Sequence, residues 1–251
     1  MNENTELAKQ PTSLKGILSS DIMKDQFAKA MPKHLDPDRF VRIAITALTK
    51  TPKLQECTQE SVFKCLLDLS SLGIEPDGRR AHLIPYGKEC TLILDYKGIV
   101  ELMRRSGDVS KIHADTVCEN DVFEHDLGHI SKHTFDLKTD RGAMYAVYAQ
   151  VTLKDGSTQS AIMSKAEVDG IRGRSKAGKF GPWVSDYDEM AKKTAIRRVS
   201  KLVPFSPEVA GIIDDSEMRE FKQMRNATPK ANLREIPLNP FIKNETEGDD
   251  Q

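Results

Sequence analysis

Three observations predict an α+β chain: helical periodicity over residues 36–73, two-residue alternation with turn signals over 109–164, and a return of helical periodicity after Ser185. Helical and strand runs are segregated, and 251 residues suffice to bury one sizeable core. Hydrophobic residues make up 38% and charged residues 30%, which describes a soluble chain with a highly charged surface. No apolar run approaches about 18 residues and no charged-then-apolar leader opens the chain, so neither a membrane span nor a secretory signal is expected. Cys57, Cys65, Cys90 and Cys118 are scattered without a CxxC pair, which suits reduced thiols in a cytoplasm better than disulfides or a zinc site.

Residues 1–30 are polar, with short apolar clusters at Leu14–Leu18 and Ile22–Phe27; a mobile arm that docks on a neighbouring subunit and a disordered terminus are both open readings. A core is expected over 31–225. Asp36-Pro37-Asp38 supplies an N-cap, a first-turn proline and a first-turn acid, and Phe40, Ile43, Ala44, Ala47 and Leu48 give that helix its buried face. A second helix starts at Thr58 and stops at Gly73. The period then changes. A turn at Glu75–Gly78 precedes strands at Ala81–Tyr86 and Cys90–Leu94, and Pro85 marks the first as an edge or bulged strand. A helix from Tyr96 to Ser106 follows, ending at Gly107.

Lys111–Val117, Val122–His125 and Ser131–Leu137 alternate loosely, and Ala143–Leu153 with Asp155-Gly156 and Gln159–Met163 reads as a hairpin. His125, His129 and His133 would share a metal-binding face on a helix, but Gly128 and the β pattern argue against a helix there. Ser164 with Glu167 caps a short helix. Pro207–Met224 reads as a last helix, and 226–251 as a flexible acidic tail, either a docking peptide or a competitor for a basic groove.

Function is sought in the stretch from Ser164 to Pro204, which carries ten Lys/Arg against five Asp/Glu in a chain whose net charge is −1. Ser185 with Asp188 reads as a capping box for a helix over 186–203. At about 100° per residue, Tyr187, Ala191, Ala195, Val199 and Leu202 share its apolar side, while Lys193, Arg197 and Lys201 form a row on the other. Lys192 and Arg198 fall at the stripe's edges, where they would fix a groove wall or reach between helices. Part of this charge has a bland origin, since late cations and first-turn acids suit the helix dipole.

The preceding loop adds Arg172, Arg174, Lys176 and Lys179, spaced by glycines, and then Phe180 and Trp183. Glycines let backbone N–H groups approach an anion, cations supply charge, and aromatic faces stack on bases, a mixture suited to single-stranded nucleic acid. Phe180 and Trp183 have two readings, base stacking or packing of the loop on the helix. Arg79, Arg80, Lys97, Arg104 and Arg105 form a second cationic group, each also readable as solvated surface.

No cofactor is expected. Gly173–Phe180 nearly spells a P-loop, but Phe180 stands where the Mg²⁺-binding hydroxyl belongs and no hydrophobic strand precedes it. Gly73–Arg80 lacks the lysine and places Glu75 and Asp77 where phosphates would lie.

Several of these stretches carry a likeness. Leu72-Gly73-Ile74-Glu75-Pro76, Leu83-Ile84-Pro85-Tyr86-Gly87, Leu94-Asp95-Tyr96-Lys97-Gly98 and Arg104-Arg105-Ser106-Gly107, with Trp183, Glu189-Met190-Ala191-Lys192-Lys193-Thr194 and Arg197-Arg198, resemble the RecT family of phage single-strand annealing recombinases. The likeness spans residues 32–204 and is weaker over 108–164. It implies strands packed on helices around one core, with flanking helices and flexible termini, assembling into rings or helical filaments. It further implies ATP-independent binding of single-stranded DNA, pairing with a complementary strand and retention of the annealed duplex. The implied partners are a phage exonuclease and a host single-strand binding protein, in a bacterial cytoplasm.

On this reading Arg172, Arg174, Lys176, Lys179, Lys193, Arg197 and Lys201 hold phosphates and leave base edges free to pair. The rivals are a nuclease using Asp77, Asp95 or Asp115 as metal ligands, and a passive protector that binds strands without pairing them.

Overall fold

A computed structural model describes residues 13–33, 35–175, 178–179 and 181–227. Ser13 and Ser20 cap helices α1 (Leu14–Leu18) and α2 (Asp21–Ala30) by accepting from the N–H groups of Gly16 and Met23. Leu14, Leu18 and Phe27 are buried in the main core, and the Phe27 ring centroid lies 5.2 Å from that of Phe40. From Ser13 onward the chain forms two helices that pack on α3 and α4 through Leu14, Leu18 and Phe27, while Ile22 stays 74% exposed.

Helices α3 (Pro37–Lys50) and α4 (Gln59–Leu72) begin at the predicted caps, Asp36 accepting from Asp38 N–H and Thr58 from Ser61 N–H. Gly73 ends α4 at φ 63°, its N–H returning to the carbonyls of Leu69 and Ser70. Strands β1 (Ala81–Tyr86) and β2 (Glu89–Leu94) form a two-stranded antiparallel hairpin, so both are edges and Pro85 costs no ladder partner on a third strand. Asp95 caps α5 (Tyr96–Arg105) by accepting from Lys97 N–H at 3.2 Å.

The β region divides into two sheets. Strands β3 (Val109–Cys118), β6 (Met144–Leu153) and β7 (Thr158–Ser164) pair antiparallel in the order β3-β6-β7, while β4 (Val122–Asp126) and β5 (His129–Thr134) form a separate hairpin. Alternation along β6 gives the larger sheet two buried faces. Val147, Ala149 and Val151 belong to the main core, whereas Ala146 and Tyr148 join Val117, Phe123, Ile130 and Ile162 in a smaller cluster. Asp155-Gly156 makes the β6–β7 turn as predicted, with Gly156 at φ 87° and Asp155 accepting from Ser157 N–H.

Helices α6 (Lys165–Arg174), α7 (Pro182–Ser185), α8 (Tyr187–Ser200) and α9 (Pro207–Ala227) follow. The capping box at Ser164 and Glu167 is complete. The one expected at Ser185 and Asp188 does not form: Ser185 closes α7 and hydrogen-bonds Asp186, and α8 starts at Tyr187 with Asp186 as an N-cap whose side chain makes no capping bond. Pro182 at the first position of α7 creates this extra turn and moves the helix start one residue on. Helix α8 also ends at Ser200, so Leu202 leaves the apolar stripe and is 51% exposed. Helix α9 docks on β2 through Ser216, whose hydroxyl accepts from Leu94 N–H at 3.0 Å and reaches the Leu92 carbonyl at 3.3 Å. Among the described residues no helix is long and apolar enough to cross a membrane.

Candidate nucleic-acid interface

Helix α8 lies across the β3-β6-β7 sheet on Ala191, Ala195 and Val199, all fully buried. Two alanines one turn apart let its backbone come close to the strands. Helix α6 leaves β7 directly and runs beside it, tied to α8 by Tyr187, whose hydroxyl donates to Asp169 at 2.8 Å. Burial and that bond hold the Tyr187 hydroxyl above its ordinary pKa, while Lys165 and Tyr187 hold Asp169 below its own.

Between α6 and α8 opens a groove of about 840 Å³. Arg174, Lys193, Arg197, Arg198 and Lys201 line it with Glu167 as the acid facing them, and Met163, Ile171, Trp183 and Met190 give it apolar walls. Cations predicted separately on loop and helix thus share one cleft.

Their engagement differs. Lys193 Nζ lies 3.0 Å from Asp95 Oδ2 and 5.8 Å from the Tyr96 ring centre. The Arg197 guanidinium donates to the Leu94 carbonyl, so both side chains bind α8 to the junction of β2 and α5. Arg198 reaches α6, pairing with Glu167 Oε1 at 2.8 Å, and this contact, with the Ser164 N–H, keeps the Glu167 carboxyl below its usual range. Lys192 turns back to Glu189 on its own helix. Arg174 and Lys201 are exposed at the rim.

Arg172 and Arg174, expected in the loop, lie in the last turn of α6. Arg172 Nε donates to the Gly178 carbonyl at 2.7 Å and its guanidinium stands 5.6 Å from the Tyr187 ring, so it shapes the loop that follows instead of lining the cleft. Gly178 is needed there, because a Cβ would fall 2.2 Å from the Arg172 carbonyl oxygen. Lys179 is exposed, and Lys176 and Phe180 lie outside the described residues. Trp183 is 4% exposed and meets Tyr187 edge-on at 6.0 Å, which makes it a packing residue whose edge borders the groove.

The second cationic group divides. Lys97 is exposed near the groove, its Nζ 5.9 Å from the same Tyr96 ring that Lys193 approaches. Arg80 is enclosed by carboxylates, bonding Glu75 at 2.7 Å, Asp77 at 2.8 Å and Glu101 at 3.1 Å, with Arg39 on the other side of Glu75 at 2.7 Å. Arg105 donates to the Leu72 and Gly73 carbonyls at 2.7 and 3.2 Å, closing the C-terminus of α4. Arg79 and Arg104 are exposed.

Tyr96, Asp95 and Glu167, which meet the groove's cations, are the residues that charge counting passed over. Each stands in a readable signal, since Asp95 and Glu167 belong to helix-cap patterns and Tyr96 follows one, but no local pattern says a cap also reaches a distant lysine. The rival metal ligands have other work. Asp77 binds the Arg79 and Arg80 N–H groups, Asp95 caps α5, and Asp115 accepts from Thr116 N–H. Among the described residues no three His, Cys, Asp or Glu side chains are placed to hold a metal ion. His133 lies on β5 between Tyr148 Oη and Asp121, both at 3.1 Å.

The RecT family sequence model matches residues 38–231. Protein RecT of Escherichia coli (strain K12) is 37% identical over 212 residues, covering 80% of this chain and 78% of that protein. The uncharacterized protein YqaK of Bacillus subtilis (strain 168) is 25% identical over 250 residues, covering 98% of this chain and 86% of its own. A family match over most of the chain, together with 37% identity to Protein RecT across four-fifths of it, makes this protein a member of the RecT family.

Proposed function

We propose that the chain is an ATP-independent annealing protein of homologous recombination, which binds single-stranded DNA in the α6–α8 groove and presents it to a complementary strand. The carrying observation is that five cations from two elements line one cleft in a chain of near-zero net charge. Family membership supports recombination as the setting.

The division of labour follows from chemistry. A strand-pairing protein must hold any sequence by its phosphates and leave Watson–Crick edges to the second strand. Arg174, Lys193, Arg198 and Lys201 serve the sugar-phosphate chain on this reading, with Lys97 extending the track past Tyr96. Arg197 and Arg172 brace the walls. Retention of the duplex, assembly into rings or filaments, a phage exonuclease that supplies the strand, a host single-strand binding protein and a bacterial cytoplasmic setting complete the proposal.

Mixing complementary oligonucleotides without ATP tests it. Duplex formation should accelerate; a passive protector would slow it, and reproducible shortening of labelled strands with Mg²⁺ or Mn²⁺ would favour a nuclease. Binding should weaken with salt at about −0.7 in log K per log salt for each phosphate neutralised.

A further inference from the structure

Two cations of the groove face carboxylates that have second occupations. Asp95 Oδ2 holds Lys193 at 3.0 Å while its Oδ1 accepts from Lys97 N–H at the start of α5. Glu167 Oε1 holds Arg198 at 2.8 Å while its Oε2 accepts from the N–H and hydroxyl of Ser164 at the start of α6. Either cation can therefore leave without stranding its carboxylate, which keeps a backbone partner at the positive end of a helix. The side chains are also partly solvated, with Lys193 28% and Arg198 51% exposed.

From this double bonding we infer that Asp95 and Glu167 are internal stand-ins for DNA phosphate, displaced when a strand enters; the inference rests on the groove being the DNA site. Binding is then an exchange. Lys193 and Arg198 trade a carboxylate for a phosphate, and the released carboxylate remains beside the strand as a like charge. The trade adds little net neutralisation, so each such cation contributes less to affinity and to the salt slope than an unopposed one. A single phosphate gains almost nothing by entering, whereas a long strand offers adjacent phosphates to both pairs and is still held reversibly. The grip is thereby tuned for a strand that must remain free to shift while it searches for its complement.

Asp95→Asn and Glu167→Gln test this cleanly, because each retains an oxygen for its helix cap and removes only the charge. Fluorescent oligothymidylate is titrated over a range of KCl, and melting temperature is followed alongside. Each variant should bind about three- to tenfold more tightly at low salt, with a log–log slope steeper by up to about 0.7, and the pair together by up to about 1.4. Unchanged or weaker binding by Asp95→Asn with an unchanged melting temperature overturns the inference. Should Asp95→Asn fold poorly, Asp95→Ser, which also caps helices, takes its place. The triple variant Lys193→Gln, Arg198→Gln, Lys201→Gln separates the two levels. If it binds as the wild type does, the groove reading itself falls; if it binds weakly while the carboxylate variants do not tighten, only the exchange falls.

Discussion

Around the turn that joins α4 to β1, Arg39, Arg80 and Arg105 meet Glu75, Asp77, Glu101 and the last carbonyls of a helix. Between α6 and α8, five cations line a cleft with Glu167 as the acid among its described lining residues, and Lys193 meets Asp95 beyond it. The two regions look alike in sequence, since each combines glycines with closely spaced arginines. They differ in what surrounds the guanidinium. At the turn the Glu75 side chain is only 9% exposed, so its charge requires cations on both sides. In the groove the paired acids sit at helix starts, where backbone N–H groups already satisfy them. On the proposed reading, a cluster of cations can serve a polyanion only where the carboxylates it meets keep partners of their own when the cation leaves.

The largest effect should break that distinction if it is false. Arg80→Ala leaves Glu75 and Asp77 without their main partner and should destabilise the fold by about 3 kcal/mol. That corresponds to a fall of roughly 6–12 °C in a chain of this size. Oligonucleotide affinity per folded molecule should not change. Weaker binding at an unchanged melting temperature would return Arg80 to the DNA surface.

A third arginine, Arg141, sharpens the comparison. It bonds the fully enclosed carboxylate of Asp121 at 2.6 Å and lies 3.7 Å from the Phe135 ring, in the small cluster beneath the β4–β5 hairpin. Arg141, with help from the Cys118 N–H and His133 and against desolvation, holds the Asp121 carboxyl well below its usual range. A carboxyl depressed in the folded state contributes stability that is present above its unfolded pKa of about 3.9 and lost as pH falls towards the folded value. Asp121→Asn should therefore cost about 2 kcal/mol at pH 7. The gap between wild type and variant, followed by thermal melts, should narrow between pH 5 and pH 3. A constant gap would mean that Asp121 acts through shape and not through charge.

How much of this was legible follows from the range of the interactions. Helix starts at Asp36, Thr58 and Ser164 and the stop at Gly73 are decided within four residues, and they stand where the residue patterns place them. The Asp155-Gly156 turn is equally local. At Ser185 two local signals competed, and Pro182 prevailed by starting a turn of its own. Lys193 finds Asp95 98 residues away, and Arg80, besides its near neighbours Glu75 and Asp77, reaches Glu101 21 residues on, beyond any periodicity. Amphipathicity placed Lys193 and Arg197 opposite the apolar stripe correctly, but could not say that the next layer there is the β2–α5 junction. The N-terminal helices were missed for a related reason: their buried faces are one or two residues wide and make sense only against α3 and α4.

A smaller effect separates structural from surface contributions at β2. Ser216→Ala removes the hydroxyl that satisfies Leu94 N–H within the core, so that amide loses its partner. A loss of about 1–2 kcal/mol is expected. Because Leu94 and Asp95 also receive Arg197 and Lys193, the variant should loosen the far wall of the groove and weaken strand binding slightly. Unchanged stability would show that α9 is not needed to hold β2.

The smallest effect is the most discriminating. Arg174 and Lys201 at the groove rim and Arg79 and Arg104 elsewhere are all exposed, so alanine at any of them should change stability by less than about 0.5 kcal/mol. Their salt dependences should divide. On the proposed reading each holds one phosphate, so Arg174→Ala and Lys201→Ala should each flatten the log K against log salt slope by up to about 0.7. Arg79→Ala and Arg104→Ala should leave the slope where it is. Equal flattening by all four would make the DNA path run over both cationic regions, and the contrast between an occupied turn and an available groove would then describe stability alone.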